Sequence, residues 1–385
     1  MAMLDEATAG VEIDRTFPGL PGRDYYDEAI WERECGTVFT RSWFCIGREE
    51  EMPAAGDYLA RDVAGEGVLA VRGKDGAIRA FFNACRHRGT VLCDEGGGNT
   101  KGAFVCPYHN WAYDLGGNLV GTPNVADGEG GFRREDFPLR SVACDTWDGF
   151  VFVHLGEEPR PLLEQLALEP DAPLEYERYR VAELRIAHRI VYEVEANWKL
   201  IHDNYNECLH CPSVHPELSA IVPMFRKGMV FDPARPDLGA TLGEGVSTFT
   251  MSGTSTLPTL PGLTETDCRT YWGYSIFPNV LMNLVSTGAM VYTLYPRGAA
   301  HTTVVSEYLY RPETIAEPAF DCSDMVEFLD LVSLQDWSVC ERAQRGVSSK
   351  GFVQGVYPPK DALLHRFAER YVAVRDAGEV SGAPR

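Results

Sequence analysis

The sequence predicts an α+β fold in which a small all-β domain precedes a domain that sets helices against an antiparallel sheet. Three observations carry this. From about Asp57 to Leu155, short apolar runs such as GVLAVRG, AIRAFF, GAFVC and FVFVHL are divided by Gly-rich turns, with few helix signals. Further along, the runs lengthen and helical periodicity joins them. The length of 385 residues, at about 150 per domain, gives room for two or three domains.

The first forty residues mix Pro, Gly and charge and end in an amphipathic pattern at Ile30, Val38 and Phe39. This predicts a short helix in a segment, 1–42, that packs on the second domain. Lys74-Asp75-Gly76 and Gly116-Gly117 fall between period-two runs and predict hairpin turns in a β domain spanning 43–160. A Pro-rich connection from Pro159 to Pro173 leads to the second domain, 175–385. There Val181 to Val194, 280–296 and 301–310 read as long strands, and an Asn197-led segment as a helix. Apolar residues at Met325, Phe328, Leu329, Val332, Val339 and Cys340 predict a helix over 322–345, and a last helix falls near 359–375.

Composition narrows the partners. Hydrophobic residues at 45% and charged residues at 24% are those of a globular chain. Thirty-five basic against 56 acidic residues give a net charge of −21, which leaves no surface to neutralise phosphates. Nucleic acid and anionic membrane surfaces are thereby excluded as partners, and a cationic substrate is weakly favoured. No window approaches 18 uninterrupted apolar residues, and the acidic start MAMLDEATAGVEID is unlike a secretory signal, so the expected location is cytoplasmic. Eleven cysteines, an odd number, argue for thiols or metal ligands over a full disulfide framework.

Two donor clusters stand out. In NACRHRGTVLCDEGGGNTKGAFVCPYHNW, Cys85 and His87 form C-x-H, and Cys106 and His109 form C-x2-H, with 18 residues between the pairs. Two chemistries use two thiolates and two imidazoles: a tetrahedral zinc site, or a [2Fe-2S] cluster with thiolates on one iron and imidazoles on the other. Each loop here brings one donor of each kind, which favours the cluster. Gly89 and Pro107 permit tight turns, Trp111 and Tyr108 are placed to cover the site, and Cys93 reads as a thiol outside the ligand set.

C-R-H-R-G followed by C-P-Y-H resembles the Rieske domain of the Rieske non-haem iron oxygenases. Members of that family commonly carry Gly after the last histidine, where this chain has Asn110, the non-Gly residue that best tolerates positive φ.

The second cluster is EANWKLIHDNYNECLHCPSVHPEL, residues 195–218. His210 and His215 are five apart, and the Cys211-Pro212 break between them lets the chain bend both imidazoles toward one ion. A facial triad for iron(II) needs a carboxylate as well, and Glu207, Glu217, Asp203 or an acid of the helix at 322–345 is available. His202 and Asp203 read as pocket or packing groups, and His154, His188, His301 and His365 as structural residues. Cys208 and Cys211 form a C-x2-C, a weak redox or zinc signal.

N-W-K followed by E-C-x-H-C-x3-H-P resembles the catalytic motif of the same family, and LQDWSVCERAQRG its ligand-bearing helix. The resemblance implies Asp336 as the third ligand, with Glu341 the alternative. It implies that Glu207 bridges His210 to His109 of a neighbouring subunit, in a homotrimer. It also implies a mononuclear Fe(II), the [2Fe-2S] cluster, O2 as co-substrate, and electrons from a separate NAD(P)H-dependent reductase, with or without a ferredoxin. No Gly-rich dinucleotide fingerprint follows a predicted strand, in keeping with that division of labour. The ECLHCPSVHPE stretch resembles the branch that N-demethylates quaternary or methylated amines such as glycine betaine and stachydrine, and Tyr271, Trp272, Tyr274 and Phe277 offer aromatic faces to a cation. The alternatives are hydroxylation of an aromatic ring or other C–H bond and, in another class, a cluster- or zinc-binding electron carrier or sensor.

Overall fold

The computed structural model describes residues 15–166, 176–229 and 239–377. They fall into two compact units, one of Phe39–Gln165 and one of the described parts of Met1–Val38 and Leu166–Arg385. The second begins with β1 (Phe17–Pro21) and α1 (Glu28–Gly36), the latter N-capped by Asp27, whose carboxylate accepts from Ala29 N.

The Phe39–Gln165 unit contains β2 (Phe44–Arg48), β3 (Asp57–Val63), β4 (Glu66–Arg72), β5 (Ile78–Phe82), β6 (Gly96–Asn99), β7 (Ala103–Val105), β8 (Ala112–Asp114), β9 (Leu119–Gly121), β10 (Ser141–Trp147) and β11 (Phe150–His154). They form a seven-stranded sheet in the order β2-β11-β10-β5-β4-β3-β6 and a three-stranded sheet, β7-β8-β9. Both expected hairpins form. Gly76 turns β4 into β5 at φ 83°, and Gly117 lies between β8 and β9 at φ 81°. A side chain at Gly117 would collide with the Phe81 ring, so glycine is required there twice over. Leu69, Val71, Phe81, Phe104, Trp111, Tyr113 and Leu139 form one core, and Cys85 and Cys106 are part of it.

The other unit is built on a six-stranded antiparallel sheet. Its strands are β12 (Arg185–Val194), β13 (Ala240–Thr241), β14 (Thr270–Ile276), β15 (Val280–Val285), β16 (Gly288–Gly298) and β17 (His301–Tyr310), in the order β12-β17-β16-β15-β14-β13. Strand β18 (Gln354–Tyr357) pairs separately with β1. The run at 280–296, expected as one strand, is two strands joined at Ser286-Thr287. Because β15 is buried throughout and β16 nearly so, no polar alternation marked the turn. The run from Val181 is likewise shorter as a strand, since Val181–Glu183 forms a 3-10 turn before β12.

Helices α2 (Trp198–Tyr205), α3 (Ser323–Val347) and α4 (Ala362–Asp376) also belong to the unit. On α3 the buried residues Met325, Phe328, Leu329, Val332, Trp337, Cys340 and Val347 recur at helical spacing. That face meets the sheet, where the Tyr192 hydroxyl donates to Asp330 at 2.6 Å and the Tyr292 hydroxyl lies 2.6 Å from Ser333 Oγ. Helix α2 starts at Asn197, whose side chain accepts from Lys199 N and donates to Ala299 O. Trp198 Nε1 and the Lys199 ammonium both donate to Glu34 of α1, and so does the Tyr371 hydroxyl of α4. Glu34 and Lys199 have no exposure. Among the described residues no helix is long and apolar enough to cross a membrane.

Removing one partner of this buried pair leaves an uncompensated charge. Lys199→Met should therefore lower unfolding free energy by about 3–5 kcal/mol in urea denaturation, with Glu34→Gln added to it restoring part of the loss.

Candidate metal centres

The two Cys-His loops share one backbone plan. Gly89 N donates to Cys85 O, and Asn110 N donates to Cys106 O, each from four residues beyond the cysteine. Cys85 N and Cys106 N in turn donate to the carbonyls of Thr90 and Trp111, five residues on. The fourth position is left-handed in both, Gly89 at φ 73° and Asn110 at φ 58°, so asparagine takes the conformation that its type tolerates.

The loops bury both thiols and bring the His87 and His109 rings to 4.6 Å. Trp111, itself buried, stacks on His87 at 4.6 Å, while Tyr108 lies against His109 and is largely exposed. Burial pushes the Cys85 thiol up, the Tyr113 hydroxyl 3.3 Å from its sulfur opposes this, and the neighbouring Cys106 adds to the rise. Burial also lowers His87, helped by His109 and Arg88, which keeps that imidazole neutral. His87 Nδ1 is buried without a hydrogen-bond partner among the described residues. An orphaned imidazole nitrogen beside a pair of neighbouring thiols is the donor chemistry of a cluster with two kinds of iron. Tyr113 was not singled out by the sequence; its bonds to Cys85 Sγ and Arg86 N depend on the β8 register.

The second cluster lies beyond the end of α2. Two short helical turns, Cys211–Val214 and Pro216–Ile221, are opened by Pro212 and Pro216, whose fixed φ suits a first turn. His210 precedes the first and His215 stands between the two, so the breaks aim both rings inward, 5.1 Å apart. Asp336 of α3 meets both: its Oδ1 is 2.8 Å from His215 Nε2 and 3.3 Å from His210 Nε2. One donor atom from each of the three residues lies within 4.8 Å of the others. That set, two imidazoles and one carboxylate, fits a divalent iron with open positions.

The far side of each ring is also held. His215 Nδ1 lies 2.7 Å from Gln335 Oε1, and His210 Nδ1 lies 2.5 Å from Glu207 Oε1. Glu207 also accepts from Leu209 N, while Asn204 Nδ2 lies 3.4 Å from His210 Nε2. Burial alone would lower His210, but hydrogen bonds to Asp336 and Glu207 outweigh it and lift the imidazole to about 9. Burial would raise Asp336, and the two histidines hold it below its usual range instead. Gln335 and Asn204 were missed because glutamine and asparagine carry no spacing signal.

The other acids lie elsewhere. Glu341 accepts from Glu195 N, and Asp203 accepts the Tyr25 hydroxyl. His202 is buried against Pro278 O, its pKa lowered by burial to about 4. His154, His188, His301 and His365 are engaged with Gly156, Tyr308, Glu193 and Phe17, away from both clusters. Cys208 and Cys211 are joined as a disulfide across Leu209 and His210.

The four aromatics of 271–277 do not form one cage, because alternation along β14 divides them. The Tyr271 hydroxyl shares Asn283 Oδ1 with that of Tyr205 and feels the charge of Asp336. Trp272 and Tyr274 stack on each other and lie on the opposite face, and Phe277 packs between Trp198 and Phe367.

Comparison with known proteins supports both centres. Residues 42–142 match the Rieske [2Fe-2S] domain, and residues 181–376 match the catalytic domain of the ring-hydroxylating alpha subunit. The carnitine monooxygenase oxygenase subunit of Escherichia coli is 30% identical over 335 residues, covering 86% of this chain and 85% of that protein. The glycine betaine monooxygenase oxygenase subunit of Pseudomonas aeruginosa is 28% identical, covering 89% and 85%. A solved quaternary ammonium Rieske monooxygenase, described with carnitine oxidation and inter-subunit electron transfer, superposes with a TM-score of 0.71 at 25% identity, covering 92% of this chain and 95% of that one. Naphthalene 1,2-dioxygenase from Rhodococcus, at 20% identity and a TM-score of 0.70, shares the fold.

Asp336→Ala should lose one iron per chain and keep the visible cluster absorbance, whereas Glu341→Ala should keep both. Gln335→Ala should weaken iron retention about 10- to 100-fold against a chelator, since it frees the His215 ring.

Proposed function

The chain belongs to the ring-hydroxylating alpha subunit family with a Rieske [2Fe-2S] domain, and on that premise we propose that it hydroxylates an N-methyl group of a quaternary ammonium compound. It is the oxygenase component of a multicomponent Rieske oxygenase, which draws its electrons from a reductase. The observation that carries the site assignment is the meeting of His210, His215 and Asp336 within 4.8 Å. Similarity over nearly the whole chain to oxygenase subunits named for carnitine and glycine betaine supports the substrate class.

In this reading Cys85, His87, Cys106 and His109 hold the [2Fe-2S] cluster, and His210, His215 and Asp336 hold the mononuclear iron. When bound, the cluster supplies single electrons and the ferrous ion a place for O2 to be reduced. Gln335 and Glu207 fix the ring orientations, so that both imidazoles present Nε2 to the same point. Glu207 bridges His210 to His109 of the partner subunit within a homotrimer. Its carboxylate, already on His210 Nδ1, supplies the near half of that contact.

Tyr271, whose hydroxyl shares Asn283 Oδ1 with that of Tyr205, and Tyr292 both lie within the field of Asp336, and we place the substrate cation beside these rings. Their ring faces attract a quaternary ammonium, which donates no hydrogen bond and needs none. An acidic chain favours the same ligand at long range. Hydroxylation of an N-methyl group gives an N-hydroxymethyl ammonium, a carbinolamine cation that collapses to the tertiary amine, formaldehyde and a proton.

With a generic reductase and NADH, glycine betaine, carnitine or a related amine should yield stoichiometric formaldehyde. Ring-hydroxylated products from an aromatic panel, with no formaldehyde from any amine, would refute the substrate reading. Glu207→Gln should retain both metal centres and lose coupled turnover by at least about 100-fold; normal turnover would refute the bridge.

A further inference from the structure

One asparagine on the sheet face that meets α2 and α3 has no part in the roles above beyond touching two phenols. Asn283 of β15 is 6% exposed. Its Oδ1 accepts the Tyr271 hydroxyl at 2.7 Å and that of Tyr205 at 3.1 Å, while its Nδ2 is directed at the Met290 sulfur at 3.6 Å. A thioether only accepts, so the amide sits this way round. Gly273 stands directly opposite Asn283 on β14. A Cβ there would collide with the Tyr271 hydroxyl and come within 3.4 Å of that of Tyr205, so both hydroxyls depend on the space the glycine leaves.

Contacts on two sides place this trio beside the iron ligands. Tyr205 follows Asn204, whose Nδ2 lies 3.4 Å from His210 Nε2. Asn283 shares a face of β15 with Leu281, and Tyr292 is paired with Leu281 from β16. The Tyr292 hydroxyl is 2.6 Å from Ser333 Oγ, and its ring is 5.7 Å from that of Trp337. On α3 these two stand one turn before Asp336 and next after it. Gly273 is exposed between buried Trp272 and Tyr274, so β14 is open on the face that carries Tyr271.

The Tyr271 ring is packed by Phe249 at 4.8 Å and Phe225 at 5.9 Å, which leaves the direction of its O–H for Asn283 to decide. Burial holds the phenols of Tyr271 and Tyr205 well above their ordinary range, so both keep their protons. Tyr205 has a second acceptor in Met282 O at 2.8 Å, and the Tyr271 proton goes to Asn283. With its proton drawn to the amide, the Tyr271 oxygen shows lone pairs to a neighbouring cation; turned the other way, the O–H would present its positive end. We propose that Asn283 is a positioning residue for specificity: by holding the Tyr271 proton, it makes the site prefer a trimethylammonium head to an uncharged group of the same shape. This deepens the amine reading above and rests on it. Asn283 acts through Tyr271.

The test uses the intact holoenzyme and two probes of one shape, choline and its uncharged carbon analogue, in which a tert-butyl group replaces the trimethylammonium. Calorimetry gives the Kd of each. The wild type should bind choline the more tightly. Asn283→Leu should cut that preference at least about tenfold while keeping wild-type iron and cluster content, because the freed Tyr271 hydroxyl turns its proton toward the cation. Adding Tyr271→Phe should restore the preference to within about threefold of wild type, a recovery that a merely structural defect would not show. Gly273→Ala displaces the same hydroxyl with Asn283 in place; it should repeat the loss, and it carries the test should the leucine variant fail to fold. A preference unchanged in the folded variants, or a loss that Tyr271→Phe does not repair, would overturn the role of Asn283 and leave the amine reading standing. A wild type that binds both probes alike would overturn the two together.

Discussion

A single carboxylate, that of Glu34, holds the second unit's helices in register. It accepts from Trp198 and Lys199 at the start of α2 and from Tyr371 of α4, and it is fully buried with the ammonium it neutralises. A charge in such a place survives only when its donors are fixed, so the three helices cannot shift independently. The N-W-K sequence thus reads structurally: Asn197 starts the helix, and the next two side chains fasten it to α1. Everything the iron site needs from α2 and the chain beyond it inherits that anchoring.

The consequence appears one turn later. Asn204 reaches His210 from the last turn of the anchored helix and Glu207 from just beyond it, and Gln335 and Asp336 reach His215 from α3, itself fixed by Tyr192 and Tyr292. His215 is therefore held at Nδ1 by Gln335 of α3 and His210 at Nδ1 by Glu207 just beyond the end of α2, and the Nε2 atoms of both rings face Asp336. Gln335 and Asp336 are sequence neighbours on α3, so one helix turn supplies both a metal-facing carboxylate and an outer partner.

The two centres are built from opposite electrostatics. At the cluster site, burial and thiol proximity push protons onto Cys85 while His87 is kept neutral. At the iron site Asp336 and Glu207 lift His210 against its burial, and the two histidines hold Asp336 below its usual range. The first arrangement suits soft sulfur donors and the second a hard divalent ion.

The sequence alone determined the local features. Both Cys-His loops, the left-handed Asn110, the histidines flanking Cys211-Pro212 and the helix over Ser323–Val347 are written in short spacings, because each depends on residues within about one turn or one hairpin. Asp336 came only through family resemblance, since 121 residues separate it from His215 and no periodicity spans that gap. Tertiary structure decided the rest. Which face of β14 meets the site, where the 280–296 run turns, and how Tyr113, Gln335 and Asn204 acquire partners are matters of strand register and helix packing. Burial and long-range contact create those properties, and neither exists until the chain has folded.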